Sequence, residues 1–145
     1  MANSDRVRVV FHGAIVMLVG LLCGAPTVNE EEPARLWHTA HESLILIGIL
    51  LFAMSSVLQL LILPKREETA LRWSLLATGY GLMVGLLIQA IVGAHAFGPS
   101  NNPLLMFAFI ANATGMLGSV LVAALTIMGA RAARSVTTTS YSTSG

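Results

Sequence analysis

The stretch LLMFAFIANATGMLGSVLVAALTIMGA, from Leu104 to Ala130, decides the fold class because it contains no charged side chain. An α-helix rises about 1.5 Å per residue and needs roughly 20 apolar residues to cross the hydrocarbon core of a bilayer. The stretch is long enough to do so, and it lacks the strict alternation that a transmembrane β-strand would show. It therefore predicts a membrane-spanning helix.

Three further apolar stretches precede this one, at about residues 7–24, 40–63 and 73–96. With the last span at 104–130, they predict an all-α fold, a single integral membrane four-helix bundle over residues 1–134. The end of the chain, residues 135–145, is rich in serine and threonine and has no apolar face. We expect it to be a disordered cytoplasmic tail.

The composition agrees with a membrane protein and excludes several other classes. The 145 residues are 55% hydrophobic and 10% charged, with a mean hydropathy of +0.77, whereas soluble domains carry about 25% charged residues. The net charge of +1 gives no basic surface for a nucleic acid, so no nucleic-acid partner is expected. The single cysteine, Cys23, excludes an internal disulfide and a cysteine-based metal knuckle.

The basic residues indicate how the bundle is oriented. Every lysine and arginine except Arg35 lies before or at the start of the first span, between the second and third spans, or after the fourth. Arg35 lies on the other side, beside the acidic run 29–32. The positive-inside rule then predicts that both termini are cytoplasmic in a bacterial inner membrane. We treat the first stretch as a span and not a signal peptide because His12 interrupts its apolar core.

The four histidines are the first candidates for chemistry, because a polar side chain within a span needs a partner. By the helical rise, His41 and His95 both lie about 33 Å above the cytoplasmic ends of their spans, near the outer face. His12 lies in the inner half. His38 is three residues from His41 and points to roughly the same side of the helix.

Two kinds of metal site are compatible with this set. A haem b needs one or two imidazoles, an apolar slot and polar groups at the water boundary. His41 is the candidate axial ligand and His95 a possible second one, and the remaining candidates for cofactor binding are Arg35, Trp37, His38 and Asn101. A zinc site would use His38, His41 and His95, with Glu42 possible.

Each histidine also has a plainer interpretation without a cofactor. His38 is then an interfacial residue beside Trp37, His41 is satisfied by water, His95 caps a helix and His12 forms a buried hydrogen bond. Glycine and alanine at helical spacing in the first, third and fourth spans favour close helix contacts, or leave room for a flat cofactor at a subunit interface.

Three other polar residues within the spans are candidates for a substrate pocket. By the helical rise, Gln89 and Asn112 lie in the outer half, beneath the predicted cofactor level. Hydrogen bonds between helices are the simpler interpretation of both. Tyr80 is a third candidate for the pocket wall, and the predicted catalytic set is therefore Gln89, Asn112 and Tyr80.

Several short motifs resemble the styrene oxide isomerase family. They are Trp37-His38-Thr39-Ala40-His41 at the start of the second span, His12-Gly13 in the first, Phe97-Gly98-Pro99 after the third and Phe107-Ala-Phe109 in the fourth. The resemblance implies a homotrimer with haem b at the subunit interfaces and the residue at His41 as the axial ligand. It also implies that ferric haem acts as a Lewis acid, turning a small apolar epoxide into an aldehyde without net redox change.

The chain departs from the family where the resemblance implies polar pocket residues. The family's asparagine, aspartate and tyrosine align with Ile47, Gly79 and Leu87, none of which offers a polar side chain. Two other functions therefore stay open beside the epoxide isomerase. One is a b-type cytochrome that uses His41 and His95 for membrane electron transfer, and the other is a haem-free accessory or transport subunit.

Overall fold

Four α-helices make up the part of the chain that the structure describes. This computed structural model describes the backbone of residues 3–24 and 32–142, and the side chains of residues 6–24 and 34–135. The helices are α1 (Asn3–Cys23), α2 (Glu32–Val57), α3 (Lys65–Val92) and α4 (Pro103–Ser142). All four are long and apolar enough to cross a membrane, which confirms the predicted all-α four-helix membrane fold.

The helices pack as two pairs. α1 lies against α2 and α3 lies against α4, while α2 and α3 join the pairs and α1 also touches α3. The core sits where α1, α2 and α3 meet, and its most buried large side chains are Val16, Leu44, Leu51, Leu71 and Leu75.

Large apolar side chains also cover the outside of the bundle. Leu22, Leu46, Ile91, Leu117 and Val120 are all more than 60% exposed, and similar residues recur on every helix. A soluble monomer rarely exposes so much apolar surface. This surface is suited to contact with lipid or with other membrane helices.

α2 lies nearer the N-terminus than the predicted span of 40–63. It begins at Glu32 and ends at Val57, and the apolar residues that follow leave the helix. A turn follows the helix, in which the amide of Leu60 donates to the carbonyl oxygen of Val57 at 2.8 Å. The amide of Ile62 donates instead to the carbonyl oxygen of Gly129 on α4, at 3.3 Å.

α3 begins at Lys65 and ends at Val92, so its bounds also differ from the predicted span of 73–96. Its charged first turns are helical because Glu67 and Glu68 lie at the positive end of the helix dipole. The helix ends early because Gly93 adopts a left-handed conformation (φ 70°) and its amide donates to the carbonyl of Gln89.

α4 begins one residue after Asn102, whose Oδ1 accepts a hydrogen bond from the amide of Leu104 at 3.0 Å. The helix continues to Ser142, beyond the predicted end of the last span at residue 130. Residues 143–145, and positions 29–31 of the acidic run, lie outside the described residues.

Candidate functional site

His41 lies on α2 with its ring directed toward α1. Its Nδ1 lies 2.9 Å from the carbonyl oxygen of Gly20. A carbonyl oxygen only accepts, so the imidazole Nδ1–H must be the donor in this bond. When Nδ1 holds the proton, Nε2 carries the lone pair of the neutral ring. A backbone carbonyl that fixes a histidine in this tautomer is a common feature of metal-ligating histidines.

Two glycines on α1 make this arrangement possible. A Cβ at Gly24 would lie 2.8 Å from Nδ1 and 2.9 Å from Cε1 of His41, so the absence of a side chain leaves the space that the ring fills. A Cβ at Gly20 would lie 2.9 Å from Leu44 Cβ, which shows how closely α1 approaches α2. The close approach brings the Gly20 carbonyl within reach of the histidine.

Three of the other cofactor candidates are exposed, and the fourth is half-buried. His38 forms a ring contact with His41, with centroids 6.4 Å apart, and its Nδ1 lies 3.6 Å from Glu42 Oε1. Arg35 is exposed and Trp37 is half-buried against the core. Asn101 is exposed in the loop between α3 and α4. The contacts of these described residues do not bring them together into a single site.

His95 is placed differently from the prediction because α3 ends before it. It is exposed in the segment after Gly93, and its ring stacks on Phe97 with centroids 4.8 Å apart and an interplanar angle of 17°. None of the contacts described here joins His95 to His41.

The zinc alternative does not fit one chain. Within the described parts of the chain, no three His, Cys, Asp or Glu side chains come close enough to hold a metal ion. A zinc site built from His38, His41 and His95 is therefore wrong for the single chain. A structural or catalytic zinc ion needs at least three protein ligands that converge.

Gln89 and Asn112, which the sequence predicted to share a pocket wall, do lie in one cavity. This outer cavity has a volume of about 290 Å³ and is lined by Leu36, Thr39, Leu82, Leu86, Gln89, His95, Ala96, Phe97, Phe109, Asn112, Ala113 and Met116. It lies between α3 and α4, with α2 and the segment after α3 closing its sides. His41 is not part of its lining.

The two amides in the outer cavity have different surroundings. Gln89 is 4% exposed, and its Nε2 donates to the carbonyl of Gly85 while its Oε1 accepts from the amide of Ala96. Its side chain thus holds the segment that follows α3. Asn112 Oδ1 is buried against Gly85 and has no hydrogen-bond partner among the described residues.

Tyr80 does not belong to this cavity. Its hydroxyl forms a 2.7 Å hydrogen bond with His12 Nδ1, and the two rings meet edge to face. His12 lines a separate inner cavity of about 470 Å³ together with Arg8, Val9, Phe11, Arg72, Trp73 and Leu76. The sequence analysis missed this pair, although the helical rise places both residues about 10 Å above the cytoplasmic ends of their spans.

The three positions where the family resemblance implies polar groups are packed with apolar atoms. Ile47 belongs to the core, and Leu87 packs against it. A Cβ at Gly79 would lie 3.2 Å from Leu51 Cδ1 and 3.6 Å from Val16 Cγ2. The interior between α1, α2 and α3 therefore contains no polar pocket at these positions.

Comparison with known proteins gives one match. A family model described as styrene oxide isomerase matches residues 5–134, which is nearly the whole four-helix region. No protein of curated function and no solved structure matches the chain.

Proposed function

The chain belongs to the styrene oxide isomerase family, and on that premise we propose that it binds haem b and converts a small apolar epoxide to an aldehyde. The reaction would rearrange the substrate without net oxidation or reduction. The family match and the four apolar helices support a multi-pass, isomerase-like membrane protein. The haem and the reaction are our proposal.

The observation that carries the proposal is the hydrogen bond from His41 Nδ1 to the Gly20 carbonyl. It leaves Nε2 as the nitrogen that can donate to a metal, and it fixes the plane of the ring. The side chain is half-buried, so one edge remains accessible from outside the chain. A single imidazole with a defined tautomer fits the axial position of a b-type haem.

When bound, the haem would supply a Lewis acid that draws electron density from the epoxide oxygen. The side chains of the protein would hold the cofactor, position the substrate and exclude water. His41 would hold the cofactor, and Arg35, His38 and Asn101 would meet its propionates at the water boundary. Ile47 and Leu87 are packed in or against the core and offer no hydrogen bond, so the substrate would be positioned by shape and by exclusion of water.

The proposal includes an arrangement in the membrane. The lysines and arginines at the N-terminus, the loop between α2 and α3, and the region after residue 130 favour the cytoplasmic side for both termini. In this arrangement His41 would lie near the periplasmic side of a bacterial inner membrane. The exposed apolar faces would contact lipid and neighbouring copies in a trimer, where each haem would lie between subunits.

The test begins with the absorption spectrum of the full chain purified in detergent. We expect a Soret band, and a ferric form that binds azide, because His41 is the one imidazole proposed to hold the haem. An aryl epoxide such as styrene oxide should then give an aldehyde without added oxidant or reductant. A six-coordinate low-spin spectrum that ignores azide would assign electron transfer instead, and a protein without a Soret band would be a haem-free subunit.

Two variants identify the ligand. His41→Ala should lower haem content at least tenfold and abolish aldehyde formation, because no other described imidazole has its tautomer fixed by a backbone carbonyl. His38→Ala is the matched control, since it removes an exposed imidazole one turn away on the same helix, and it should retain haem. Unchanged haem in His41→Ala would refute the assignment.

A further inference from the structure

We propose that the inner cavity binds the headgroup of an anionic phospholipid, through the phosphate ester that such lipids share. The cavity has a volume of about 470 Å³ and lies between α1, which contributes Arg8, and α3, which contributes Arg72. His41 does not line this cavity. The inference therefore does not rest on haem or on the proposed reaction.

The lining of the inner cavity is positively charged. It contains Arg8 and Arg72 and no acidic side chain among the described residues, and Glu68 on α3 lines a different, smaller cavity. Arg8 is exposed, so a ligand can reach it from the surface of the bundle. Arg72 is half-buried, and its Nη2 donates to Thr69 Oγ1 at 3.3 Å. A guanidinium has five N–H donors in a planar fork that matches phosphate oxygens. Two arginines from different helices can therefore hold one phosphate between them.

The arginines lie at the depth where a lipid headgroup is found. The apolar window of α1 begins at Arg6, which places Arg8 at the edge of the hydrocarbon region. Trp73, beside Arg72, is 68% exposed, and tryptophan is enriched at the boundary between membrane and water. His12 lies about 6 Å deeper along α1, and its Nδ1 is bonded to Tyr80. The arginines are thus the groups that would meet the phosphate.

The remaining lining favours a lipid over a free phosphate ion. It consists of the apolar side chains Val9, Phe11, Trp73 and Leu76. A free phosphate would lose hydration beside these side chains without gaining a contact for it. A phospholipid already lies at this boundary, and its acyl chains can pack on the exposed rings of Phe11 and Trp73. A cavity of about 150 Å³ holds a benzene molecule, so this one has room for a phosphate and its glycerol.

A general attraction between this end of the bundle and anionic lipid is expected without any site. The end carries seven of the eight lysines and arginines and three of the seven acidic residues, and basic residues near a membrane surface attract anionic lipids. A site differs from this field because Arg8 and Arg72 share one cavity, whereas Arg131 is exposed on α4 and does not line it. The proposal therefore predicts that equal charges at this end contribute unequally.

The test measures binding of ¹⁴C-labelled dioleoyl phosphatidylglycerol to the full chain by equilibrium gel filtration in detergent. Dioleoyl phosphatidylcholine, which has no net charge, is the comparison. We expect saturation at about one phosphatidylglycerol per chain, and about tenfold weaker binding of phosphatidylcholine. Sodium chloride at about 0.5 M is present throughout, because it screens charges that do not contact the headgroup.

Three variants separate the cavity from the surface charge. Arg8→Gln and Arg72→Gln should each weaken phosphatidylglycerol binding about tenfold, because each removes a charged donor to the phosphate. Arg131→Gln is the matched control, since it removes the same charge at the same end but outside the cavity, and it should change the affinity less than about twofold. Arg8 is exposed, so Arg8→Gln should keep the unfolding free energy of the unmodified chain.

Three results would overturn the proposal. Equal weakening by Arg8→Gln and Arg131→Gln would assign the binding to the surface charge as a whole. Equal binding of the two lipids would show that the anionic headgroup is not recognised. Displacement of phosphatidylglycerol by inorganic phosphate at about 10 mM would assign the cavity to a free phosphate, whereas retention of the lipid supports the headgroup. None of these measurements depends on a Soret band, so the two proposals can fail separately.

Discussion

The α1–α2 pair and the α3–α4 pair both pack through glycines at the helix contact, but their polar side chains differ in hydrogen bonding. In both pairs a glycine faces the neighbouring helix at a distance that excludes a Cβ, as at Gly20 and Gly81. Between α1 and α2 the close approach gives His41 a carbonyl partner. Between α3 and α4 it leaves Asn112 Oδ1 buried without one among the described residues.

This difference separates the role of the small residues from the role of the polar ones. Glycine allows two helices to approach, which strengthens packing in a membrane. It does not determine what the helices bind. That depends on the polar side chain beside the contact, and on whether the neighbouring backbone satisfies it. Substitutions at the glycines and at their polar neighbours should therefore have different effects.

The largest effect on stability is expected from Gly81→Ala. The new Cβ would lie 2.7 Å from Ala111 O and from Gly115 N, and both are backbone atoms that cannot rotate away. We expect the free energy of unfolding to fall by about 2–3 kcal/mol, measured by denaturant titration in mixed micelles. Gly98→Ala is the control, because nothing lies within 4 Å of its Cβ. Equal stability of the two variants would show that α3 and α4 do not depend on this contact.

Gly24→Ala should have its main effect on the cofactor. Its Cβ would meet the His41 ring and not a backbone atom, so the ring would shift and weaken its bond to Gly20 O. We expect about a tenfold loss of haem affinity, equivalent to about 1.4 kcal/mol, measured by transfer of haem to apomyoglobin. The change in unfolding free energy should be smaller than for Gly81→Ala. Unchanged haem transfer would separate Gly24 from the function of His41.

Much of the fold could be predicted from the sequence because hydropathy and length suffice to identify a membrane helix. The charge-free run 104–130 is an example. The predicted helix ends were less accurate because each end depends on the backbone conformation of a few residues. Gly93 adopts a left-handed conformation and ends α3 before His95. α2 ends at Val57 and leaves several apolar residues outside the helix, although hydropathy alone assigns them to the span.

The candidate site was predicted only in part. Gln89 and Asn112 were expected to lie together, and they share the outer cavity. The partner of His41 could not be predicted because a backbone carbonyl has no sequence signature, and its position depends on how α1 meets α2. The i, i+4 spacing of Gly20 and Gly24 was the available signal, and it was interpreted as general helix packing.

Tyr80 was grouped with Gln89 and Asn112 because all three are polar. Tyr80 and Gln89, however, lie at different depths along α3. Positions 80 and 89 are nine residues apart, which corresponds to about 14 Å along the helix. Tyr80 instead bonds to His12 Nδ1 at 2.7 Å and links α3 to α1. A polar pair that satisfies itself in this way resembles the His41 contact in its geometry, but it leaves no obvious role for a ligand.

Tyr80→Phe should therefore have the smallest effect of the three substitutions. The ring and its edge-to-face contact with His12 would remain, and only the hydroxyl would be lost. Hydrogen bonds between membrane helices contribute about 0.6 kcal/mol on average, so we expect the unfolding free energy to fall by about that amount in the same denaturant titration. Haem content and aldehyde formation should not change. A large loss of aldehyde formation with haem retained would return Tyr80 to the catalytic set, and would mean that α1 and α3 form part of the substrate site.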